Sequence, residues 1–391
     1  MNAGMAAQGT PDKPWRLGMV AGEASGDLLA GLLLRGLKAQ GLAVQAQGVG
    51  GEHMVAQGFE VWWPSDSLSV RGYVEVLRHY KRLVALRDAL TQRWLSQPPD
   101  VFVGVDAPDF NLELARRLKA AGTKTVHFVC PSIWAWRAER VHKIKAAVDH
   151  VLCIFPFEPA LLRAHGIAAT FVGHPIAQRA PWRSDHTQAR ARLGLGSAVE
   201  TVVALLPGSR TSEIKHLLPR FLKAAHLMAG ERPGLEFVLP AVPALRSQVD
   251  ACVQRHGRGL KIHVYTGEST ACMAAADVVL VASGTATLEV ALIKRPMVIA
   301  YHMPRLSWWL HQRKRLQPWV GLPNILSEAF VVPELLQEQA TPQALADATL
   351  AWLDQPERVA QAVEAFDRVH ESLRADTERI AAQVMSEVLC G

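Results

Sequence analysis

TVVALLPGSR, residues 201–210, is the stretch that decides the fold. Its first six residues are an apolar run, rich in Val and Leu, of the length expected for a buried parallel strand. Pro207 then ends the strand, Gly208 and Ser209 turn the backbone, and apolar residues recur at helical spacing over 212–228. A strand, a tight turn and a helix in this order predict one βα unit of a parallel sheet.

The turn formed by Gly208, Ser209 and Arg210 is suited to binding an anion. The start of a helix offers free backbone N–H groups at the positive end of the helix dipole, and Arg210 adds a planar guanidinium group that matches phosphate. An ordinary strand-to-helix turn with a solvated arginine would have the same sequence. The turn alone does not distinguish these two interpretations.

A second stretch favours the anion site. DVVLVA, residues 277–282, is another buried-strand run that leads through Ser283, Gly284 and Thr285 into the helical segment TATLEVALI. Two turns of small residues after two strands in one half of the chain predict a nucleotide-binding crevice. Glu289 lies one turn into the second helix, where its carboxylate could accept from the hydroxyl pair of a ribose. The alternative for Glu289 is a surface acid favoured by the helix dipole.

The composition is that of a globular protein with more than one core. The chain has 391 residues, of which 49% are hydrophobic and 20% charged, and two domains are the natural expectation for this length. The net charge of +6 suits phosphorylated ligands or an anionic membrane surface as well as nucleic acid. Nucleic acid is the weakest of these, because the sequence has no Lys/Arg block, zinc-finger spacing or RNP motif.

Several classes of protein are not predicted. The five cysteines are scattered without CxxC spacing, as is typical of reduced thiols in the cytosol, and the fifteen histidines form no HxxxH or HExxH pair. We therefore predict no metal and no cofactor. No apolar run reaches the ~18 residues of a spanning helix, and residues 1–14 lack the apolar core of a signal peptide. The sequence predicts neither a secreted nor an integral membrane protein.

The first half of the chain shows the same strand–turn–helix pattern. Residues 16–21 read as a strand, GEASGD is the turn after it, and residues 28–38 continue as a helix. The glycines of this turn stand at the wrong offsets for the dinucleotide fingerprint. The turn therefore indicates only that a ligand lies near a helix N-terminus.

Two acids follow the strand VFVGV at residues 101–105, and they are not equivalent. Asp106 ends the strand and is expected to point into the crevice at the carboxyl edge of the sheet, where α/β proteins bind ligands. Asp109 directly precedes a helical run and is placed as its N-cap. We predict that Asp106 is the catalytic acid or base, and the alternative is a second Asp that stabilises the turn.

Residues 65–94 interrupt the regular alternation with an apolar face interleaved with basic residues. One interpretation is a helix packed on its own sheet. The other is an interfacial segment that inserts apolar side chains into a bilayer and places basic residues on anionic head groups. The apolar positions expected to contact the membrane are Val74, Leu77, Tyr80, Leu83 and Val84.

Strand-like runs separated by helices continue to the C-terminal third of the chain, with a polar, proline-containing boundary between residues 173 and 198. This predicts an α/β protein of two Rossmann-like, doubly wound domains that face a cleft. The expected divisions are an N-terminal domain over 1–180, a C-terminal domain over 181–355, and a helical segment over 356–391. The last segment is expected to pack back on the N-terminal domain or to be exchanged in a dimer.

Six motifs, in order and spacing, resemble bacterial lipid-A-disaccharide synthases: VAGEASGD, VGVDAPDFN, SIWAWR, LLPGSR, ASGTATLE and GLPN. The likeness extends from about residue 17 to about residue 353. It implies a metal-independent, inverting glycosyltransferase of the two-Rossmann GT-B type in lipid A biosynthesis. The donor would be UDP-2,3-diacylglucosamine and the acceptor 2,3-diacylglucosamine 1-phosphate, giving the β-1,6-linked disaccharide 1-phosphate and UDP.

The resemblance also implies roles for individual residues. Asp106 would be the general base, and Arg210 with the Gly208–Ser209 turn would stabilise charge on the departing UDP. Glu289 and Asn324 would hold the ribose, uracil or diphosphate. On the acceptor side, the implied residues are Gly22, Ser25 and Asp27. The implied partners are these two lipid substrates and the inner face of the inner membrane, and a homodimer is expected.

Two other functions are compatible with the residues. A non-hydrolysing UDP-sugar 2-epimerase would share the architecture and a similar donor site, but it would not need an amphipathic membrane segment. A membrane-binding module that senses UDP-sugars would bind the nucleotide sugar saturably without turnover. Release of UDP with and without the monosaccharide 1-phosphate distinguishes all three.

Overall fold

Two compact units make up the protein. The computed structural model describes residues 13–68, 76–196, 199–303, 308 and 315–390. The first unit runs to Gln178 and also contains the segment from Leu373 onward, whereas the second unit is Arg179–Ser372. Each unit is built around one parallel sheet, with a helix between each pair of consecutive strands.

The first unit has a seven-stranded sheet in the order β3-β2-β1-β4-β5-β6-β7. Its middle strand, β4, is a continuous apolar run, as is typical of a parallel strand whose two faces are covered by helices. The direction of winding reverses between β1 and β4, which pair from Leu17↔Val101 to Ala21↔Val105. The strands are β1 (Trp15–Ala21), β2 (Val44–Gly50), β3 (Glu60–Pro64), β4 (Val101–Val105), β5 (Lys124–Phe128), β6 (His150–Cys153) and β7 (Ala168–Phe171).

The helices of the first unit alternate with these strands. The third of them, α3, buries Leu86, Leu90 and Trp94, which lie four residues apart on one face, and the Trp94 ring packs 5.4 Å from that of Phe102. The later turns of this helix are therefore core. The helices are α1 (Ala24–Ala39), α2 (Glu52–Val55), α3 (Val76–Ser96), α4 (Pro108–Ala120), α5 (Arg140–Ala147), α6 (Glu158–Arg163) and α7 (Pro175–Arg179).

The second unit has a six-stranded sheet in the order β10-β9-β8-β11-β12-β13. Its winding reverses between β8 and β11, which pair from Val278↔Val203 to Val281↔Leu206. Both strands are buried along their whole length. The strands are β8 (Val202–Leu206), β9 (Glu236–Ala241), β10 (Ile262–Thr266), β11 (Val278–Ala282), β12 (Met297–Tyr301) and β13 (Glu334–Leu336).

The remaining helices cover this sheet and then return to the first unit. The predicted segment 356–391 consists of two helices, of which α15 belongs almost wholly to the second unit and α16 to the first. α16 packs along α1, where Arg35 pairs with Glu378. The helices are α8 (His186–Arg192), α9 (Thr211–Glu231), α10 (Arg246–His256), α11 (Ser269–Ala275), α12 (Thr285–Leu292), α13 (Leu322–Ser327), α14 (Pro342–Asp354), α15 (Pro356–Leu373) and α16 (Thr377–Cys390).

The architecture is the predicted α/β class with two Rossmann-like, doubly wound sheets. Two short edge strands, β3 and β13, are present in the structure but are not predicted from the sequence. None of the helices in the described ranges combines the length and the apolar character that crossing a bilayer requires.

Candidate functional site

A pocket of about 470 Å³ lies in the second unit, where β8 and β11 end. This is the point at which the winding of the sheet reverses, and open α/β sheets bind ligands at such points. All but one of the predicted donor-binding residues line it: Gly208, Ser209, Arg210, Ser283, Gly284, Thr285 and Glu289. The opposite wall comes from the ends of β9 and β10 and includes Ala241, Pro243 and Gly267.

The turn after β8 requires glycine at position 208. Gly208 has φ +114°, a conformation that side-chain-bearing residues rarely adopt. A Cβ atom at this position would also collide with the carboxylate of Glu213. The turn is therefore shaped both by its backbone and by a side chain from the first turn of α9.

The carboxylate of Glu213 accepts hydrogen bonds from the backbone N–H groups of this turn. Its Oε2 accepts from the backbone N–H groups of Ser209 at 2.8 Å and Arg210 at 3.1 Å, and its Oε1 accepts from Nη1 of Arg210 at 3.1 Å. The sequence pattern predicts free backbone N–H groups at this turn and at the start of the helix after it. That prediction is wrong for these two amides, because a carboxylate of the chain itself already binds them.

The turn after β11 is built differently. Gly284 is the N-cap of α12, and within the described part of the chain no carboxylate accepts from the first amides of this helix. The Oγ1 atom of Thr287 donates to the carbonyl of Gly284 and holds the turn. Burial raises the pKa of Glu289, which lies one turn further along. A raised pKa is the expected result where a carboxylate faces a pocket with few compensating charges.

Asn324 has a structural role rather than a place in the pocket. It is fully buried, and its Nδ2 donates to the Val332 carbonyl and to Glu334, while its Oδ1 accepts from the N–H groups of Val331 and Val332. These four bonds use the full hydrogen-bonding capacity of the amide. The residue ties α13 to β13, so its assignment to donor binding is not supported by the geometry.

The first unit places a second group of side chains at its own reversal point, between β1 and β4. Gly22 and Glu23 follow β1, and Asp106 follows β4. A Cβ at Gly22 would lie 2.8 Å from a methyl carbon of Leu68, so only glycine fits this close approach. Ser25 is exposed in the first turn of α1.

Asp106 sits in a left-handed turn without glycine. Asp106 has φ +51° and Ala107 has φ +42°. The buried side chain of Asn111 holds this backbone, because its Nδ2 donates to the carbonyls of Asp106 at 2.8 Å and Val105 at 3.2 Å. Such backbone conformations cost of order 1–3 kcal/mol each, and they concentrate at functional sites.

The electrostatic surroundings of Asp106 suit a general base. Burial raises its pKa, and the nearby charge of Glu23 raises it further, whereas a hydrogen bond from the backbone of Ala107 lowers it. A carboxylate with a raised pKa is a stronger base than an ordinary aspartate. Asp106 thus combines a left-handed backbone at the reversal point of the sheet with a raised pKa.

Asp109 is not the N-cap of α4. The helix begins at Pro108, its N-cap is Ala107, and Asp109 lies inside the first turn. Its carboxylate is exposed and accepts both of its contacts from Nη2 of Arg140, at 2.6 and 2.9 Å. The N-cap prediction is wrong because the left-handed turn at Asp106 and Ala107 starts the helix two residues earlier than the sequence suggests.

Asp27, predicted on the acceptor side, is buried inside the first unit. Its two carboxylate oxygens accept from the backbone N–H groups of Gly51, His53 and Met54, at 2.8, 2.9 and 3.2 Å. The carboxylate thus caps α2. Of the three residues predicted on the acceptor side, Gly22 and Ser25 are the two that lie at the edge of the sheet.

The predicted membrane-contact residues fall into three groups. Val74 lies outside the described residues, and for Leu77 only the helical backbone is described. Tyr80 is 64% exposed. Leu83 and Val84 are half-buried, and Leu83 packs against the core of the first unit. Of the described positions, Tyr80 is the apolar side chain best placed to meet a surface.

Two candidate functional residues, Glu23 and Glu213, are not predicted from the sequence. Glu23 lies within a turn that the sequence singles out, but only the pairing of β1 with β4 brings it close to Asp106. Glu213 stands three residues after Arg210, which is the spacing of a capping box, and that spacing could have identified it. Among the described residues, no cluster of three or more His, Cys, Asp or Glu side chains is arranged to hold a metal ion.

Comparison with known proteins gives consistent matches over nearly the whole chain. Residues 17–388 match the family described as lipid-A-disaccharide synthetase. The lipid-A-disaccharide synthase of Albidiferax ferrireducens is 56% identical over 381 residues, which is 96% of this chain and 98% of that protein. That of Paraburkholderia xenovorans is 50% identical over 378 residues, covering 96% and 97%.

Solved structures match in fold at low sequence identity. A UDP-GlcNAc 2-epimerase from Neisseria meningitidis, bound to UDP-GlcNAc, superposes with a TM-score of 0.62 at 11% identity, over 96% of this chain and 99% of that one. A glycosyltransferase from Rickettsia africae gives a TM-score of 0.58 at 12% identity, over 97% and 99%. These likenesses concern the fold alone.

Proposed function

This chain belongs to the lipid-A-disaccharide synthase family, and from that premise we propose how its residues perform the reaction. The enzyme is a glycosyltransferase of lipid A biosynthesis that forms the lipid A disaccharide. The epimerase alternative is not favoured, because the likeness to epimerases is confined to the fold. The donor is UDP-2,3-diacylglucosamine and the acceptor is 2,3-diacylglucosamine 1-phosphate, which join through a β-1,6 linkage with release of UDP.

The donor occupies the pocket of the second unit. What supports this is the convergence of two strand-to-helix turns on one cavity that also holds an arginine and a half-buried acid. The N-terminus of α12 and the guanidinium of Arg210 stabilise the diphosphate, and Glu289 accepts from the ribose hydroxyls. Charge that develops on the departing UDP is stabilised by the same groups.

Asp106 is the general base. It takes the proton from the 6-hydroxyl of the acceptor as that oxygen attacks the anomeric carbon, and the attack from the opposite face inverts the configuration. The single observation that carries this role is the carboxylate held in a left-handed turn at the reversal point of the first sheet, with its pKa raised. Gly22 and Ser25, at the end of the neighbouring strand, shape the acceptor side.

Turnover provides the test of the proposed reaction. Purified protein is incubated with UDP-diacylglucosamine, with and without the monosaccharide 1-phosphate, and release of UDP is followed. We expect UDP release and disaccharide formation only when both substrates are present. Release of UDP without acceptor, or saturable binding without any turnover, would contradict the proposal.

Both substrates carry acyl chains, so we propose that the enzyme meets them at the cytoplasmic face of the inner membrane. Tyr80 is exposed on α3 beside exposed Lys81 and Arg82, and the segment around Val74 and Leu77 adds apolar character by sequence. Each basic residue near anionic lipid contributes about 1 kcal/mol of binding free energy.

Replacing Tyr80 with Ser and Arg82 with Gln should shift the protein from anionic liposomes to the supernatant, while turnover on short-chain, water-soluble analogues is retained. Loss of activity on the soluble analogues as well would show that these residues stabilise the fold and do not bind the membrane.

We also propose that the enzyme forms a homodimer. Light scattering of the purified protein measures the molar mass that tests this.

A further inference from the structure

We propose that Glu213 is an internal competitor of the diphosphate: its carboxylate occupies the turn after β8 in the free enzyme and leaves when UDP or the donor binds. This inference rests on the donor site proposed above. It assigns an affinity-determining role to a residue that the proposed steps of sugar binding and transfer do not use.

The geometry of the turn is that of an occupied anion site. Two adjacent amides, of Ser209 and Arg210, converge on one oxygen of Glu213, and the guanidinium of Arg210 binds the other. Backbone N–H groups and an arginine converging on one anion are the arrangement by which proteins bind phosphate. A carboxylate of the chain itself fills this arrangement.

The Glu213 side chain is only 16% exposed, whereas that of Arg210 is 78% exposed. The carboxylate is thus turned inward against the amides, and the guanidinium lies at the open side, where a ligand enters.

The charges around the pocket lead to the same inference. Of the described residues that line it, Arg210 is basic and Glu213 and Glu289 are acidic. A diphosphate brings two or more negative charges to these groups, and like charges in close contact disfavour binding. Withdrawal of Glu213 removes one negative charge from the site and releases three donors to the ligand at once. Its return after transfer competes with the product UDP and favours UDP release.

The first experiment compares UDP affinity by calorimetry in the unmodified enzyme, Glu213→Gln and Glu231→Gln. Glu231 is exposed at the far end of α9, roughly 27 Å along the helix axis, and its substitution makes the same change of charge. Because the neutral amide is a weaker competitor, Glu213→Gln should bind UDP about tenfold more tightly, the equivalent of one charge-assisted hydrogen bond. Glu231→Gln should bind like the unmodified enzyme.

A second measurement does not depend on any variant folding. In a crystal structure of the unmodified enzyme with UDP, the distance from Glu213 Oε2 to the Ser209 nitrogen should exceed about 3.5 Å, beyond hydrogen-bond range. Retention of the 2.8 Å contact in that complex would overturn the inference. Equal or weaker UDP binding by Glu213→Gln would overturn it as well, since the carboxylate would then only support the turn.

Failure of the donor site itself has a different signature. If the unmodified enzyme does not bind UDP, the proposed donor pocket is wrong, and if Arg210→Ala binds UDP with unchanged affinity, Arg210 is not part of the site. In either case the role of Glu213 falls with it. If both of those results are as expected and only Glu213→Gln departs, the donor pocket stands and Glu213 alone is misassigned.

Discussion

The turn after β4 in the first unit and the turn after β8 in the second each flank the reversal point of a parallel sheet, on opposite sides of it, and they are built in opposite ways. Each follows a fully buried strand and leads into a helix at the point where the winding reverses. In the second unit the positive φ falls on Gly208, whereas in the first it falls on Asp106 and Ala107.

The difference follows from which atoms each turn contributes. The turn after β8 contributes backbone amides, so glycine is suitable and avoids strain. The turn after β4 has to place a carboxylate at the edge of the sheet, so the strained position cannot be glycine. A buried amide, Asn111, then holds the backbone in place through the carbonyls of Val105 and Asp106. In this turn the residue proposed as the general base thus has a second residue that supports its backbone.

Asp106→Asn should have the largest effect on activity, and this effect should be confined to the role of the first unit. Removal of a general base lowers kcat by about 10²–10⁴, while UDP affinity, a property of the second unit, should be unchanged. Steady-state kinetics and calorimetry measure the two quantities. If Asp109→Asn proves more damaging than Asp106→Asn at equal stability, the wrong acid has been chosen.

Arg210→Ala should lower both UDP affinity and kcat, because the same guanidinium binds the diphosphate before and during its departure. The loss of one such donor costs roughly 10²–10³ in kcat. Arg210→Lys should restore part of the affinity, since it supplies the charge without the bidentate geometry. Calorimetry with UDP checks both variants, and unchanged binding in Arg210→Ala would remove this residue from the site.

A pair of reciprocal substitutions sharpens the comparison at the level of the backbone. Gly208→Ala should destabilise the protein by about 1–3 kcal/mol, because alanine is strained at this φ and its Cβ collides with Glu213. Ala107→Gly should be neutral or stabilising, because it relieves a left-handed alanine. Chemical denaturation measures both. Equal destabilisation by the two changes would show that packing, not φ, controls these turns.

The smallest expected effect concerns pH. Because the pKa of Asp106 is raised in the folded protein, the charged carboxylate destabilises the fold above that pKa, and the penalty disappears as the pH falls through it. Asp106→Asn should therefore melt at a slightly higher temperature than the unmodified enzyme at neutral pH, with the difference lost in acid. In activity assays, kcat/KM should begin to fall on the acid side at a pH above the pKa of an ordinary aspartate. A Tm difference that grows in acid would contradict the raised pKa.

Much of the fold can be predicted because buried parallel strands are continuous apolar runs. The strand 101–105 matches the prediction residue for residue, and the strands predicted at 16–21, 201–206 and 277–282 agree within one residue. Two strands, β3 and β13, are not predicted, and each has a physical reason. β3 is a largely exposed edge strand that contains Glu60 and Pro64, and β13 has only three residues, so neither carries the pattern of a buried strand.

The pocket follows from sequence better than the partners of its polar groups do. Turn residues that line a cavity are local features, and seven of them lie where the pattern indicates. Asp27 and Asn324 do not, because their hydrogen-bond partners come from other elements: Asp27 caps a helix that begins about 25 residues later along the chain. Nothing local in a sequence reveals such a bond.

The return of α16 to the first unit has a consequence for biosynthesis. Translation proceeds from the N-terminus, so the residues up to Gln178 emerge from the ribosome well before the helix that completes their fold. Until then α1 has an uncovered face at Gly36, against which the backbone of Glu378 later packs so closely that no Cβ would fit. The ammonium group of Lys124 likewise cannot donate to the carbonyl of Val388 until that residue has been made. The first unit therefore cannot complete its packing during translation until α16 has been made.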